Sequence, residues 1–417
     1  MKILIINHSD TYGGAAISAH RLFIAINNAN KNVTLEVFDK NTADSIKSLN
    51  KKYNRVLYKL KEFIASKIIT FFFRTSNTIL HSLNNKSLID VNKLNASDAD
   101  IVNLHWINHN LLSIKDISTI KKPIFWTLHD SWSICGAEHH PNILENDNRY
   151  QIGYFTGNKP RSTRGFDLCK YTWKRKKKAW KNKTFHFIAP SNFLKTTYEE
   201  SALFKGTSST CTVIPNIVPE DIFKPLDKSS LRVLYDIPED KHIIGFGAAY
   251  EISSKKSIKG EYLLIEALKL IKDPENYHLV LFGNAGVSFL EALTIPYFNS
   301  GYISNPHILA GIYNLCDVII CPSLIENLPN ICLEALFCGI PVTAFNTGGI
   351  PDIVEHKQTG YLADCFDPKD LHNGVQYSLG HKEELSKNSL IKAKRDFDNQ
   401  TIVNKHIELY KSVLEAQ

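Results

Sequence analysis

The chain has 417 residues, enough for two or three domains at roughly 150 residues each. Hydrophobic residues at 43% and charged residues at 22% exclude a disordered, collagen-like or disulfide-scaffold chain, and no apolar run approaches the ~20 residues that span a bilayer. The 49 Lys+Arg against 42 Asp+Glu leave +7, too small an excess to argue for nucleic acid as a partner, so only a local basic cluster carries meaning.

In chain order, Lys2 to Ile6 is a short apolar run of buried parallel-strand type, ending in Asn-His-Ser-Asp. Gly13-Gly14 follow, and then Ala19, Leu22, Phe23 and Ile26 recur at helical spacing. Val33 to Phe38 closes this βαβ unit. Residues 51 to 83 read as a helix with Leu57, Leu60, Ile64, Ile68 and Phe71 on one stripe. Further strands are expected at 100–104, 123–128, 185–189 and 212–214. Ile214 to Pro225 holds three prolines, which bar a helix interior or a central strand, so the interdomain linker belongs there. The alternation then resumes. Strands are expected at 243–248, 279–282, 318–321 and 342–345, and helices at 260–271, 309–315 and 331–338.

This pattern predicts an α/β protein of two doubly wound, Rossmann-like domains facing a central cleft, with the ligand at the strand carboxyl ends. The expected division is 1–215 and 216–399, with a final helix over about 400–417 packing back on the first domain. Cys135, Cys169, Cys211, Cys316, Cys321, Cys332, Cys338 and Cys365 contain no Cys-x-x-Cys pair, which predicts free thiols in a reducing compartment. The apolar start is four residues, Ile3 to Ile6, too short for a signal peptide, so a cytoplasmic location is expected.

The strongest chemical signal is Glu326-Asn327-Leu328-Pro329-Asn330 followed by Glu334-Ala335. Glu326 falls in a loop after a strand and Glu334 inside a helix. The helix start between them offers N–H groups suited to a diphosphate. Carboxylates on either side of a diphosphate match the layout of a nucleotide sugar. The bland alternative is a cap at Glu326 and a surface residue at Glu334, which Leu333 and Ala335 disfavour. His129 ends a strand where it can donate to a sugar hydroxyl or a developing charge, and Asp130 beside it could equally cap a helix. His105 ends the preceding strand and is a candidate to orient an acceptor. Gly13-Gly14 lack the full dinucleotide fingerprint and serve either a tight turn or a phosphate. Cys135, His139, His140 and Cys169 match no usual zinc spacing, so no metal site is assigned.

Glu326 to Asn330, Glu334-Ala335, Gly339-Ile340-Pro341-Val342, Gly348-Gly349-Ile350-Pro351-Asp352 and Thr359-Gly360 together resemble the donor half of retaining family-4 glycosyltransferases of the GT-B fold. The resemblance covers nearly the whole chain and is most specific over 242–365. It implies that Glu326 contacts the donor sugar and Glu334 the ribose, with the backbone of Asn327 and Leu328 on the sugar and phosphate side. It also implies Lys259 on the diphosphate, Gly13-Gly14 approaching the donor phosphate, and His129 in the active site. The Arg that many members carry five residues before the Lys is Ser254 here, leaving Lys255 or Lys256 as substitutes. With no carboxylate cluster evident for a metal, the leaving charge would fall to side chains and helix termini, so no cofactor is expected.

The implied activity is retaining, metal-independent transfer of a hexose-type sugar from a nucleotide-diphosphate donor to a lipid-linked or oligosaccharide acceptor. The setting would be assembly of a surface polysaccharide such as lipopolysaccharide, O-antigen or capsule. A GT-B nucleotide-sugar epimerase and a catalytically silent carbohydrate-binding module are the alternatives. Lys170 to Lys183 carries eight Lys or Arg and no acid, with Tyr171, Trp173 and Trp180 among them. That segment is a candidate contact with an anionic membrane surface, on the inner face of the plasma membrane, or else a solvated helix face.

Overall fold

Short all-apolar runs become strands buried on both faces when helices cover each side of a parallel sheet. The computed structural model describes residues 1–42, 45–49, 67, 73–74, 79–142, 145–248 and 257–416. Its strands are β1 (Lys2–Ser9), β2 (Asn32–Asp39), β3 (Lys47–Ser48), β4 (Phe73–Arg74), β5 (Ile101–Leu104), β6 (Ile124–Thr127), β7 (Arg164–Gly165), β8 (His186–Ala189) and β9 (Thr210–Val213). They continue as β10 (His242–Ala248), β11 (Tyr277–Gly283), β12 (Tyr297–Asn299), β13 (Val318–Cys321), β14 (Val342–Phe345) and β15 (Gly360–Ala363).

The chain divides into two compact units, Met1–Pro215 with Val403–Gln417, and Asn216–Ile402. The first unit holds a seven-stranded sheet in the order β3-β2-β1-β5-β6-β8-β9, and the second a six-stranded sheet in the order β12-β11-β10-β13-β14-β15. Every pairing within these sheets is parallel. Both are thus doubly wound α/β sheets. β5, β6, β13 and β14 are buried at every position.

In each sheet the chain runs outward from a central strand and then returns to that strand's other side. The reversal lies between β1 and β5 in the first unit and between β10 and β13 in the second. At such a switch point the flanking loops leave in opposite directions and open a crevice beyond the strand carboxyl ends. The residues just past β1, β5 and β6, and just past β13 and β14, are therefore the ones placed for ligands.

The last helix, Asn399–Glu415, buries Ile402, Val403, His406, Ile407 and Tyr410 at helical spacing. Tyr410 packs edge-on against Phe125 of β6 at 4.6 Å, and its hydroxyl accepts from Asn103 Nδ2 of β5 at 2.9 Å. Pairing strips and helices recur near their expected places, but the helix expected over 51–83 does not extend to its end. Its apolar stripe, Leu57 to Phe71, lies outside the described residues, as do Ser254, Lys255 and Lys256. Within the described part, Phe73–Arg74 pairs antiparallel with Arg164–Gly165, and His81 bridges Glu138. Among the described residues no helix is long and apolar enough to cross a membrane.

Candidate active site

In the first unit, β1, β5 and β6 deliver their ligand-facing residues to one end of the sheet. Asn7, at the end of β1, is fully buried and stitches two of these loops. Its Oδ1 accepts from the Trp106 backbone N–H at 2.8 Å, and its Nδ2 donates to the Ser9 carbonyl at 2.6 Å. The His8 ring then meets Trp106, at 5.8 Å, and His109, at 5.5 Å. Burial, with His109 adding a smaller push, lowers the His8 pKa to about 4. Gly13 has φ 87°, and the helix Gly14–Asn28 starts directly after it with no side-chain cap. Asp10 fastens the neighbouring loop by accepting from the Asn41 and Thr42 backbones and the Thr42 hydroxyl.

His129, just past β6, is partly exposed, and its Nε2 lies 2.8 Å from Nδ1 of His105 with the rings stacked at 5.0 Å. Burial lowers the His129 pKa to about 4, against a smaller opposing pull from Asp130. Burial also holds His105 well below its usual range, helped by His129 and His406. Both imidazoles are neutral at physiological pH, so one must donate and the other accept in the bond between them. His105 is 2% exposed, and its Nε2 is buried without a hydrogen-bond partner. The side chain expected to contact an acceptor thus has almost no surface of its own and touches the partly exposed ring of His129.

Asp130 caps no helix. Its Oδ2 accepts from Trp106 Nε1 at 3.0 Å and pairs with His139 Nδ1 at 2.6 Å, while Oδ1 accepts from the Trp132 backbone at 2.9 Å. Burial alone would raise this carboxyl, but His139, His140 and the Trp132 N–H together bring its pKa below the usual carboxylate range. His139 Nε2 in turn meets the Ser82 hydroxyl at 2.9 Å. The residue weighed as a zinc ligand is thus part of a Ser82–His139–Asp130–Trp106 chain. Among the described residues no group of three or more His, Cys, Asp or Glu is placed to hold a metal ion. The relay escaped the sequence because Ser82 and Trp106 lie 57 and 24 residues from their partners; the nine-residue spacing of Asp130 and His139 follows no regular period.

In the second unit, β13 ends in Pro322 and the loop that carries Glu326. Lys259 Nζ lies 2.5 Å from Glu326 Oε1, and the Ser323 hydroxyl donates to the same oxygen at 2.9 Å. Both partners are partly exposed, at 32% and 16% of their side chains, so water and ligands can reach the pair. Two glycines fix this loop. Gly260 has φ 71°, and a Cβ there would fall 1.8 Å from the Pro322 carbonyl oxygen. Gly348 has φ 58°, and a Cβ there would fall 2.0 Å from the Glu326 carbonyl oxygen, which already accepts from the Gly349 N–H at 3.0 Å. Any side chain at either place adds a left-handed backbone penalty to a clash.

Asn327 and Leu328 are buried on the short stretch between Glu326 and the helix Asn330–Phe337, which has no side-chain cap. Glu334, inside that helix, is 4% exposed, and its Oε2 accepts from the Tyr313 hydroxyl at 2.7 Å. It is no surface residue. Burial, followed by the Glu334 charge, drives the Tyr313 phenol well above its usual pKa, so it stays protonated and donates. Tyr313 and Ser323 carry no motif of their own; only their distance to a glutamate reveals them.

These two sets of side chains differ in chemistry. Neutral rings and one carboxylate suit hydroxyl groups, while a lysine, a carboxylate and a helix start suit a diphosphate with a polyol beside it.

Comparison with known proteins bears on the second unit and on the fold. Residues 235–396 match the family model of glycosyl transferases group 1. The N-acetyl-alpha-D-glucosaminyl L-malate synthase of Bacillus anthracis is 24% identical over 249 residues, 56% of this chain and 57% of that protein. A D-inositol 3-phosphate glycosyltransferase of Corynebacterium jeikeium is 30% identical over 185 residues, 40% of this chain and 43% of that protein. The chain thus spans about half the length of the curated relatives it matches. Anabaena HepE, solved with UDP-glucose, aligns at a TM-score of 0.66 and 18% identity, covering 99% of this chain and 100% of that one. WaaG, a glycosyltransferase involved in lipopolysaccharide biosynthesis, aligns at 0.62 and 13%, covering 98% and 99%. At these identities the likeness establishes the fold, which is GT-B.

Proposed function

We propose, for a chain whose residues 235–396 belong to the glycosyl transferases group 1, that it moves a hexose-type sugar from a nucleotide-diphosphate donor to a lipid-linked glycan with retention of configuration. The Lys259–Glu326 pair carries this reading. It stands at the carboxyl end of β13, beside the switch point and ahead of the helix Asn330–Phe337. When a diphosphate arrives, Lys259 exchanges one carboxylate oxygen for a more highly charged phosphate, and Glu326 is released to accept from sugar hydroxyls. The helix start adds roughly half a positive charge on the same side. Both contributions grow as the phosphate leaves with its negative charge, which is the condition for accelerating the step.

Glu334 and Tyr313 form a buried polar end to this site, suited to the ribose. HepE bound to UDP and to UDP-glucose supports the donor class. In the first unit His129, neutral at physiological pH and held by His105, can donate to or accept from a hydroxyl without carrying charge. The leaving phosphate would take the acceptor proton on the face it departs from. Side chains and the helix start neutralise it, so activity should persist in chelator; activity restored only by Mg²⁺ or Mn²⁺ overturns that part.

The test is a thermal-shift screen of nucleotide sugars followed by a transfer assay. A donor present at 100 times its Kd should stabilise the chain by roughly 2.7 kcal/mol. No stabilisation by any nucleotide sugar refutes the donor assignment, and stabilisation without transfer or hydrolysis returns a silent binding module.

A further inference from the structure

The helix Leu168–Trp180 turns its tryptophans inward, against expectation. Trp173 and Trp180 are 4% and 3% exposed and belong to the core of the first unit. Lys176 is fully buried between them, donating to the Cys135 carbonyl at 3.1 Å and the Gly136 carbonyl at 2.7 Å, and also to the Trp132 carbonyl. Arg175 and Lys183 are likewise spent on backbone carbonyls, those of Leu83 and Ile120. The outward face keeps Lys174, Lys177, Lys178 and, just after it, Lys181.

Four large apolar side chains just before and within this helix face solvent. Ile152 is 51% exposed, Phe155 54%, Phe166 55% and Tyr171 42%. Among the described residues, Phe155 and Phe166 are the exposed phenylalanines. Their loops are built. Asn158 accepts from the Phe155 N–H at 2.7 Å and donates to the Gly153 carbonyl at 2.7 Å. Lys170 Nζ ties the helix to Thr156 at 2.8 Å, and the Phe166 ring lies tilted against Tyr171 at 5.7 Å. A loop free to collapse would bury its rings; this one is fastened with them outward.

The charge around the rings has one sign. Residues 152–183 hold eleven Lys or Arg and a single acid, Asp167, which caps the helix and meets Arg149 at 3.4 Å. Rings that reach headgroup depth, flanked by lysines at phosphate level, match an anionic bilayer in both layers of its surface. Lysines on one helix face suit a diffuse field of lipid charge better than the planar fork geometry that reads individual phosphates or bases.

We propose that Phe155, Phe166 and Tyr171, with Lys174, Lys177 and Lys178 beside them, form a docking face for the surface of an anionic lipid bilayer. The inference rests on the lipid-linked acceptor only for its usefulness to the cell. The same helix serves both purposes: its inner face holds the 132–136 carbonyls next to the Asp130–His139 pair, and its outer face meets the lipid.

Sedimentation of the full chain with vesicles tests the face without donor or acceptor, so its result is separable from transfer activity. The wild type should bind phosphatidylcholine vesicles containing phosphatidylserine at low salt, and bind pure phosphatidylcholine at least 10-fold more weakly. A variant with Phe155→Ser and Phe166→Ser should lose about 10-fold, and one with Lys174→Gln, Lys177→Gln, Lys178→Gln and Lys181→Gln at least about 50-fold, at roughly five-fold per basic residue. A variant of equal charge change elsewhere, Lys369→Gln, Lys387→Gln, Lys394→Gln and Lys405→Gln, should change binding less than about three-fold. All variants should keep the wild-type tryptophan-fluorescence unfolding transition, which shows that the first unit folds, since every tryptophan lies in it. The proposal is overturned if the wild type ignores phosphatidylserine, or if the face and control variants bind alike. It is also overturned if single-stranded RNA binds more tightly than vesicles and the phenylalanine variant has no effect.

Discussion

The two polar centres solve the burial problem in opposite ways. In the first unit the imidazoles of His8, His105 and His129 are pushed below their usual pKa by burial and stay neutral, and the one charge, Asp130, is surrounded by donors. In the second unit Lys259 and Glu326 face each other at 2.5 Å and are both partly open to water. A neutral, tightly bonded centre cannot rearrange much and is suited to fixing an uncharged hydroxyl. A half-exposed ion pair exchanges partners at little cost, because an exposed pair is worth only about 0–1 kcal/mol. The second centre is therefore the one able to open for a charged ligand.

That contrast breaks first if Lys259 does nothing to the leaving charge. Lys259→Ala should lower turnover by about 10²–10³ at saturating donor, as for loss of a single donor to a developing anion. Near-normal turnover would reduce the pair to a surface salt bridge.

The next largest effect belongs to the first unit's framework. Lys176→Met removes the donor shared by the Trp132, Cys135 and Gly136 carbonyls and should cost about 3 kcal/mol in unfolding free energy. All five tryptophans, from Trp106 to Trp180, lie in the first unit, so their fluorescence follows that unit alone. The loss should appear in the fluorescence transition, while donor binding by the second unit is retained. An unchanged denaturation midpoint would refute the stapling role.

Acid should separate the units. A histidine held at about 4, such as His8 or His129, leaves the unfolded chain binding more protons between that value and 6.5. Its contribution is whole above pH 6.5 and is lost as the pH falls toward 4. In the second unit Asp317 would be raised by burial, but Lys228, the Ile243 N–H and Arg232 hold it at about 2. Its contribution is whole above 3.8 and is lost only as the pH falls toward 2. Titration from pH 7 to 4 should thus weaken the fluorescence-detected unit by at least about 2 kcal/mol. Circular dichroism should keep a folded fraction from the second unit. Coincident acid transitions would erase the distinction.

The smallest effect sharpens the first centre. Asp130→Asn should lower kcat/KM for the acceptor about 10-fold, because His139 and Trp106 lose a charged acceptor while His129 keeps its bond to His105. Equal losses in donor affinity would show instead that Asp130 serves the fold at large.

What could be read from the chain tracks how locally each feature is specified. β5, β6, β13 and β14 were visible as brief apolar runs, and Pro215, Pro219 and Pro225 marked the linker, because backbone chemistry acts within a few residues. The loop of Glu326 and the helix of Glu334 were visible for the same reason. The edge strand β12 was missed because its Tyr-Phe-Asn is too short for a period.

Sequence alone determined the alternation of strands and helices and the glutamate motif with its lysine. Tertiary structure decided which side of the basic helix is inside. Trp173, Lys176 and Trp180 share one stripe, yet a lysine belongs in a core only where carbonyls converge on its ammonium, and those of Trp132, Cys135 and Gly136 are about 40 residues away in sequence. The same holds for the His105–His129 bond and for His139 on Asp130. The first is a meeting of side chains past the ends of the neighbouring strands β5 and β6, set by sheet order, and the second closes a loop of nine residues whose path no periodicity encodes.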